Sequence, residues 1–176
     1  MTFQATTGTH PIDMTARVEA LRSAFYRIQS ERMQDVPLLN PALAVATIGF
    51  RHWDAYYLGV LVTPWMMKLI GLPVVTGQLE QAVQTWRFPS GEYTAYRDDL
   101  PDMGEYYSAS LFSPMQEFTE QAQAETTATA VLEALFEAPR ERIETNLPNN
   151  NAGGLARGLT RRQLLFGMFR NNDSTG

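Results

Sequence analysis

YYLGVLVTPWMMKLIGLPVV, residues Tyr56–Val75, gives the clearest indication of the fold of this chain. It begins with β-branched and aromatic residues, a composition typical of a buried strand. Pro64, Lys68 and Pro73 interrupt it, so it falls short of the about 20 consecutive apolar residues that a membrane-spanning helix requires. The stretch therefore predicts a buried strand followed by one or two helical turns over Thr63–Gly71.

The second half of this stretch has more large apolar side chains than so short an element can easily bury. Pro64, Trp65, Met66 and Met67 stand together in it, and the flexible side chain of methionine suits the binding of apolar peptides. Two interpretations stay open. These residues belong to the core, or they form the apolar part of a client-binding surface, and the site predicted below rests on the second.

One helix is predicted before this stretch and another after it. Asp13 or Thr15 is a suitable N-cap for the first helix, which we expect to end near Met33. Its apolar residues recur at helical spacing, namely Val18, Leu21, Phe25 and Ile28. The second helix is predicted over residues 115–138, where Pro139 ends it.

Alternating and β-branched runs predict the strands between these helices. They lie near residues 44–50, 56–62, 83–88, 92–96 and 106–112. The predicted fold class is α+β: a mainly antiparallel sheet of about five strands packed against two long helices. We expect both helices to cover one face of the sheet, and a flexible basic C-terminal tail to follow the second.

Composition divides the chain into segments. Residues 1–12 are small and polar and are predicted to be a disordered lead-in, and residues 13–144 are predicted to form a single domain. Residues 145–158 are rich in Asn and Gly and poor in large apolar side chains, which is typical of a flexible linker. Residues 159–176 form a short tail that is both basic and apolar.

The composition also excludes several classes of function. The net charge of −5 argues against general nucleic-acid binding, and the zero cysteines exclude disulfides, thiolate nucleophiles and iron–sulfur clusters. The two histidines, His10 and His52, stand far apart in the sequence, and no phosphate-loop motif is present. Since the N-terminal residues are neither basic nor continuously apolar, no secretory signal is predicted. We expect a cytoplasmic protein that is not an enzyme and has no cofactor or metal.

Acidic residues gather just before the last predicted strand. They are Asp98, Asp99, Asp102 and Glu105, with Arg97 as the only basic residue near them. Carboxylates are bidentate partners for the guanidinium group of arginine, so this cluster is a candidate site for a basic peptide. The alternative is a solvated acidic loop, in which exposed ion pairs contribute roughly 0–1 kcal/mol.

Several short motifs occur along the chain in a specific order. They are Asn40-Pro41, Thr63-Pro64-Trp65-Met66, Pro89-Ser90-Gly91, Tyr106–Pro114 with the pattern Y-x-S-x-S-L-x-S-P, and Arg161–Gly167 with the pattern RRxLLFG. In this order they resemble the HybE-type assembly chaperones of nickel–iron hydrogenases. The resemblance covers most of the chain, roughly residues 16 to 167.

The resemblance implies a non-enzymatic maturation chaperone. Its implied partner is the nickel–iron hydrogenase small-subunit precursor with its twin-arginine export signal, and the large subunit and other maturation factors are further candidates. Some relatives carry a rubredoxin-like iron domain, which this cysteine-free chain lacks. For such a client we expect the acidic cluster to bind the arginines, and Trp65, Met66 and Met67 to bind the apolar residues that follow them.

The tail contains a sequence similar to a twin-arginine signal. Thr160 precedes Arg161 and Arg162, and Leu164 and Leu165 follow after one intervening residue. One hypothesis is mimicry, in which the tail occupies the client groove until a real signal displaces it. The alternative is a terminal segment that docks permanently on the sheet.

A different class of function stays open beside the chaperone. A small-molecule sensor or enzyme is compatible with the sequence, with a pocket between sheet and helices around Trp53, Trp86 and Tyr93. A homo-oligomer is compatible with it as well, because an exposed hairpin edge pairs readily with a second copy.

Overall fold

The computed structural model describes residues 13–33, 36–75 and 79–137. The predicted lead-in, linker and tail lie outside these residues. In chain order the elements are α1 (Met14–Arg32), β1 (Ala46–Trp53), β2 (Tyr56–Val62), β3 (Met67–Pro73), β4 (Val83–Phe88), β5 (Gly91–Leu100), β6 (Gly104–Phe112) and α2 (Gln121–Leu135).

The strands form one antiparallel sheet in the order β1-β2-β3-β6-β5-β4. The strands β1, β2 and β3 pair in sequence order, as do β4, β5 and β6, and the pairing of β3 with β6 joins the two groups. The predicted α+β class with a mainly antiparallel sheet is confirmed, with six strands where about five were predicted. Among the described strands, β1 and β4 form the edges of the sheet.

The additional strand is β3, and the prediction of helical turns over Thr63–Gly71 was wrong. Met67 pairs with Val62 of β2 and with Phe112 of β6, so the strands on both sides satisfy the backbone groups of β3. A short continuous apolar run fits a doubly buried strand as well as a buried helix. Pairing with distant strands decides between the two.

The two helices lie on opposite faces of the sheet, which corrects the expectation that both cover one face. Leu58 and Val60 of β2 belong to the hydrophobic cluster that contains α2, whereas Leu61 belongs to the cluster that contains α1. Successive residues of a strand point to opposite faces, and the central strands are apolar at consecutive positions. The sheet is therefore buried on both faces at its centre. We call these faces the α1 side and the α2 side.

The first helix begins and ends where the sequence predicts. Asp13 is its N-cap, and the Asp13 carboxylate accepts hydrogen bonds from the backbone N–H groups of Thr15 and Ala16 at 3.0 and 3.1 Å. Leu21 and Phe25 are buried against the sheet, and Val18 and Ile28 pack at the margin of the same cluster. The helical spacing of apolar residues therefore identified the buried face of α1 correctly.

The second helix is shorter than predicted, since it begins at Gln121 and not near residue 115. The buried side chain of Asn40 holds the segment before it: Nδ2 donates to the carbonyl oxygens of Met115 and Phe118 at 2.9 and 2.7 Å. A helix over these residues would direct those carbonyls along its own axis. The Asn40-Pro41 motif thus fixes how the chain enters α2.

Candidate functional site

The Thr63-Pro64-Trp65-Met66 motif forms the turn between β2 and β3. The buried Thr63 side chain closes this turn, because its Oγ1 accepts a hydrogen bond from the Met66 N–H at 3.0 Å. The Pro64 carbonyl accepts one from the Asn40 N–H at 2.9 Å. The two motifs therefore contact each other, and their polar atoms stabilise the turn that presents Trp65.

The turn distributes its apolar residues over both sides of the sheet. Pro64 and Met67 are buried, and Met67 lies in the core on the α2 side. Trp65 and Met66 are half-buried and pack at the margin of the cluster on the α1 side. The Trp65 ring lies 6.5 Å from the Phe25 ring of α1. Trp65 and Met66 are therefore the two residues of the predicted apolar set that keep exposed surface.

The carboxylate of Asp98 lies on the α1 side of β5 and is already engaged. It accepts hydrogen bonds from the Ser108 hydroxyl at 2.5 Å and from Lys68 Nζ at 3.3 Å, and Lys68 also donates to Ser108 at 3.1 Å. Lys68 follows Met66 by two residues in β3, so both side chains point to the α1 side. Lys68 thus connects the apolar turn to the first acidic residue.

Asp102 lies in the turn between β5 and β6 and forms an exposed ion pair with Arg27 of α1. This ion pair borders a groove of about 200 Å³ between α1 and the turn, whose apolar lining includes Ala24, Ile28 and Leu100. Arg27 and this groove were not predicted, since nothing in the local sequence pattern places α1 beside residues 100–102. Only the tertiary arrangement brings them together.

The other two acidic residues point to the α2 side. Asp99 and Glu105 are directly opposite each other on β5 and β6, one position along each strand from Asp98 and Tyr106. The Glu105 carboxylate accepts a hydrogen bond from the Leu79 N–H at 2.7 Å and lies 3.6 Å from the Arg97 guanidinium. The predicted acidic cluster is therefore divided by the sheet, because neighbouring residues of a strand face opposite ways.

Beneath α1, the sheet carries the buried Tyr106 phenol, which stays uncharged, and two backbone carbonyls that bind Arg17 of α1. Burial raises the pKa of the Tyr106 phenol, and the nearby carboxylates of Asp98 and Asp99 raise it further. Arg17 of α1 donates to the carbonyl oxygens of Pro73 and Glu105 at 2.6 and 3.4 Å. These bonds fix the position of α1 against β3 and β6. The exposed residues beside α1 therefore stand on a rigid support.

Trp65, Met66, Lys68, Asp98 and Asp102 share the α1 side, and we refer to them as the α1-side surface. The pairing of Met67 with Phe112 places the Trp65 end beside one end of β6, and Asp102 lies beyond the other end. The strand has 9 residues, so the surface extends over roughly 25–30 Å. It presents apolar side chains, a lysine and carboxylates in that order, an arrangement suited to binding an extended peptide.

In the structure, the described residues that were considered for a small-molecule pocket or a metal site pack against other side chains. Trp86 and Tyr93 are buried in the α2-side core, where the Trp53 ring stacks on Phe88 with 4.3 Å between ring centroids. His52 is exposed on β1 with its ring against Tyr57 at 5.1 Å. His10 lies outside the described residues. Within the described ranges, no group of three or more His, Cys, Asp or Glu side chains is arranged to hold a metal ion.

No helix among the described residues is both long and apolar enough to cross a membrane. Arg161, Arg162, Leu164 and Leu165 of the tail lie outside the described part of the chain.

The fold is thus an antiparallel sheet of six strands with one helix on each face. The chain belongs to the HybE family, described as "[NiFe]-hydrogenase assembly, chaperone, HybE", whose model matches residues 16–167. This family has the non-enzymatic role of a hydrogenase assembly chaperone, as the order of motifs predicted.

Individual relatives agree with the family match. The chain is 38% identical over 146 residues to the hydrogenase expression/formation protein HoxT of Azotobacter vinelandii, covering 80% of this chain and 92% of that one. It is 42% identical over 118 residues to HupT of Azotobacter chroococcum mcd 1, covering 64% and 78%. It is also 39% identical over 135 residues to the probable rubredoxin HupJ of Rhodobacter capsulatus, covering 74% of this chain and about half of that relative, 48%.

A solved structure shows the same fold. The solution structure of HybE from Escherichia coli superimposes with a TM-score of 0.57 at 19% sequence identity, covering 82% of this chain and 91% of that chain.

Proposed function

We propose that this chain binds the small-subunit precursor of a [NiFe] hydrogenase through its twin-arginine signal, in the cytoplasm and before export. The observation that carries the proposal is the α1-side surface. Half-buried Trp65 and Met66 stand on the same side of the sheet as the Asp98 carboxylate, and Lys68 lies between them. A twin-arginine signal presents the complementary chemistry, a guanidinium pair followed by apolar residues.

The spacing within this surface favours Asp98 as the carboxylate that binds a client arginine. Lys68, two residues from Met66 on the same face, reaches Asp98 with its side chain at 3.3 Å. Asp98 is opposite Tyr106 and Met67 is opposite Phe112, so roughly 20 Å along β6 separates the carboxylate from the apolar turn. An arginine on Asp98 therefore places apolar residues about six positions further along an extended peptide near Met66 and Trp65. Asp102, further along, is in reach of residues that precede the arginines.

Binding is proposed to proceed by exchange of ion pairs. In the free protein Lys68 occupies Asp98, and Arg27 occupies Asp102. Both pairs are partly or largely exposed, and such pairs contribute roughly 0–1 kcal/mol, so displacing them costs little. The guanidinium group of a client arginine binds the Asp98 carboxylate better than the Lys68 ammonium group does, because it donates two parallel hydrogen bonds to one carboxylate. Asp99 and Glu105 add negative potential to the same hairpin from the α2 side.

The proposed role is to keep the export signal of the immature subunit covered by reversible binding. The fraction of the subunit that is covered increases with the concentration of the chaperone and with its affinity for the signal. Release follows when the matured subunit no longer presents the same surface, and no bond is made or broken. The large subunit and other maturation factors remain further candidate partners for the folded part of this chain.

Exchanging one carboxylate at a time tests the site. We expect Asp98→Asn to weaken binding of a small-subunit signal peptide about tenfold, because a hydrogen-bonded charge pair contributes about 1.5–3 kcal/mol. Asp99→Asn is the matched control, since it removes the same charge one residue away on the opposite side of the sheet, and its expected effect is less than about twofold. Peptide affinity measured by calorimetry gives the answer. Equal effects of the two substitutions would place the peptide elsewhere.

A further inference from the structure

An apolar patch lies on the α1 side of the sheet, away from α1 itself. Val83 of the edge strand β4 and Tyr96 of β5 are directly opposite each other, and their exposed fractions are 47% and 57%. Tyr96 also pairs with Ser108, which pairs with Ile70 beneath α1. The patch is therefore on the same face as α1, one and two strands beyond the region that α1 covers.

The described residues cover β4, and β5 around Tyr96, on one side only. On the α2 side, Trp86, Phe88, Tyr93 and Ala95 of these strands are buried. On the α1 side, the buried cluster reaches Leu61, Ile70, Leu72 and Tyr106, and among the described residues of β5 it is Leu100, at the far end of the strand, that packs against it. Scattered exposed apolar residues are ordinary, but Val83 and Tyr96 adjoin each other next to the flank of a helix. Together they form an exposed apolar surface on which a further chain segment can pack.

The described chain ends beside the turn of the β4–β5 hairpin, and Val83 lies five positions further along β4. The N–H of Ser90, in the turn between β4 and β5, donates to the carbonyl of Leu135 at the end of α2 at 3.2 Å. Residues 138–176 follow, and residues 138–158 precede the apolar part of the tail. A random coil of that length would span about 25 Å on average. The straight-line distance from the hairpin turn to Val83 on the other face is roughly 20 Å, since it combines about 17 Å along β4 with about 10 Å across the sheet. A tail of this length is therefore long enough to reach the patch around the edge strand β4.

We propose that the segment Leu164–Phe169 of this chain docks on the patch formed by Val83 and Tyr96. The segment has the sequence LLFGMF, and Arg161 and Arg162 precede it. Asp98 follows Tyr96 by two residues on the same side of β5, so a segment seated on Tyr96 brings these arginines to the Asp98 carboxylate. The family match extends to residue 167, beyond the last described residue, Glu137. Residues 164–167 of the segment are thus part of the family sequence.

Docking at this place makes the tail a competitor for the client. The arginines of the tail and those of a client signal would share Asp98, while their apolar residues go to different places: the tail to Val83 and Tyr96, the client to Trp65 and Met66. This competition rests on the function proposed above. The docking itself does not depend on it.

Hydrogen exchange of the full chain tests the docking. We expect the amides of residues 164–169 to exchange about tenfold more slowly than in a free peptide of residues 159–176. A tether gives an effective concentration near 1 mM, and an intrinsic affinity of about 0.1 mM then keeps roughly ten molecules docked for each one undocked. The double variant Val83→Ser/Tyr96→Ser is expected to abolish this protection.

The matched control is Tyr26→Ser/Val75→Ser, which removes the same side chains from positions that are each 65% exposed. It should leave the protection unchanged. The docking is overturned if the segment exchanges at the free-peptide rate, if the patch variant keeps the protection, or if dilution removes it, since the last result indicates a second copy. Adding a twin-arginine signal peptide then tests the competition separately. Faster exchange of residues 164–169 supports a shared Asp98, and unchanged exchange overturns the shared site while the docking stands.

Discussion

Replacing Trp86 by alanine is expected to lower the free energy of unfolding by about 3–5 kcal/mol, the range for truncating a buried aromatic side chain. Trp86 is 1% exposed, and its ring contacts those of Tyr56 and Trp53 at centroid distances of 5.7 and 6.2 Å. A Cβ placed on Gly71 would lie 2.6 Å from this ring. The indole therefore fills its space completely, and the surrounding sheet cannot close over the cavity.

Urea unfolding followed by circular dichroism measures this effect without relying on tryptophan fluorescence. Tyr26→Ala is the control, because it removes an aromatic ring from a position that is 65% exposed on α1, and surface substitutions usually change stability by less than about 0.5 kcal/mol. A loss below about 1 kcal/mol for Trp86→Ala would contradict the packing described for the α2-side core.

Replacing Asn40 by alanine is the second large effect that we expect, a loss of about 3 kcal/mol. The buried amide donates to two carbonyls, of Met115 and Phe118, and its Oδ1 accepts from the Ala42 N–H at 3.0 Å. Each buried group left without a partner costs about 1–3 kcal/mol. The substitution also frees the segment that leads into α2. Asn40 therefore has a structural role, which explains why we expect folding to depend on this part of the Asn40-Pro41 motif.

Gln116→Ala is the matched comparison for Asn40→Ala. The Gln116 side chain also donates to a backbone carbonyl, that of Leu38 at 2.9 Å, but it does so in an exposed position. Water replaces such a bond at little cost, so we expect a loss of less than about 1 kcal/mol. If the two variants unfold at the same urea concentration, the Asn40 hydrogen bonds are not the anchor of this segment.

The sequence was sufficient for those elements whose signals are local. The Asp13 cap and the helical spacing of Leu21 and Phe25 predicted α1 and its buried face, since both signals act within a few residues. The strands predicted near residues 83–88 and 92–96 leave Pro89-Ser90-Gly91 between them, and this motif forms the turn between β4 and β5, where Gly91 has a φ of 141° that favours glycine. The α+β class followed from the order of these elements.

Features that depend on distant pairing were beyond the reach of the sequence. The apolar run over Met67–Pro73 becomes a strand because β2 and β6 pair with it on both sides. The acidic residues look like one cluster along the chain, yet the alternation of strand side chains separates Asp98 from Asp99. Likewise, Arg27 of α1 meets Asp102 only in the folded protein. Sequence patterns suggested the candidate residues but not which of them face the same way.

The most direct test of the proposed function is a titration of the full chain with a twin-arginine signal peptide from a hydrogenase small subunit. A twin-lysine peptide serves as the control, and both are measured at two salt concentrations. We expect saturable binding that weakens with lysine, because lysine cannot form the bidentate pair, and weakens again at high salt, because the ion pairs are exposed. No binding, or equal binding of both peptides at both salt concentrations, would contradict recognition of the export signal by the α1-side surface.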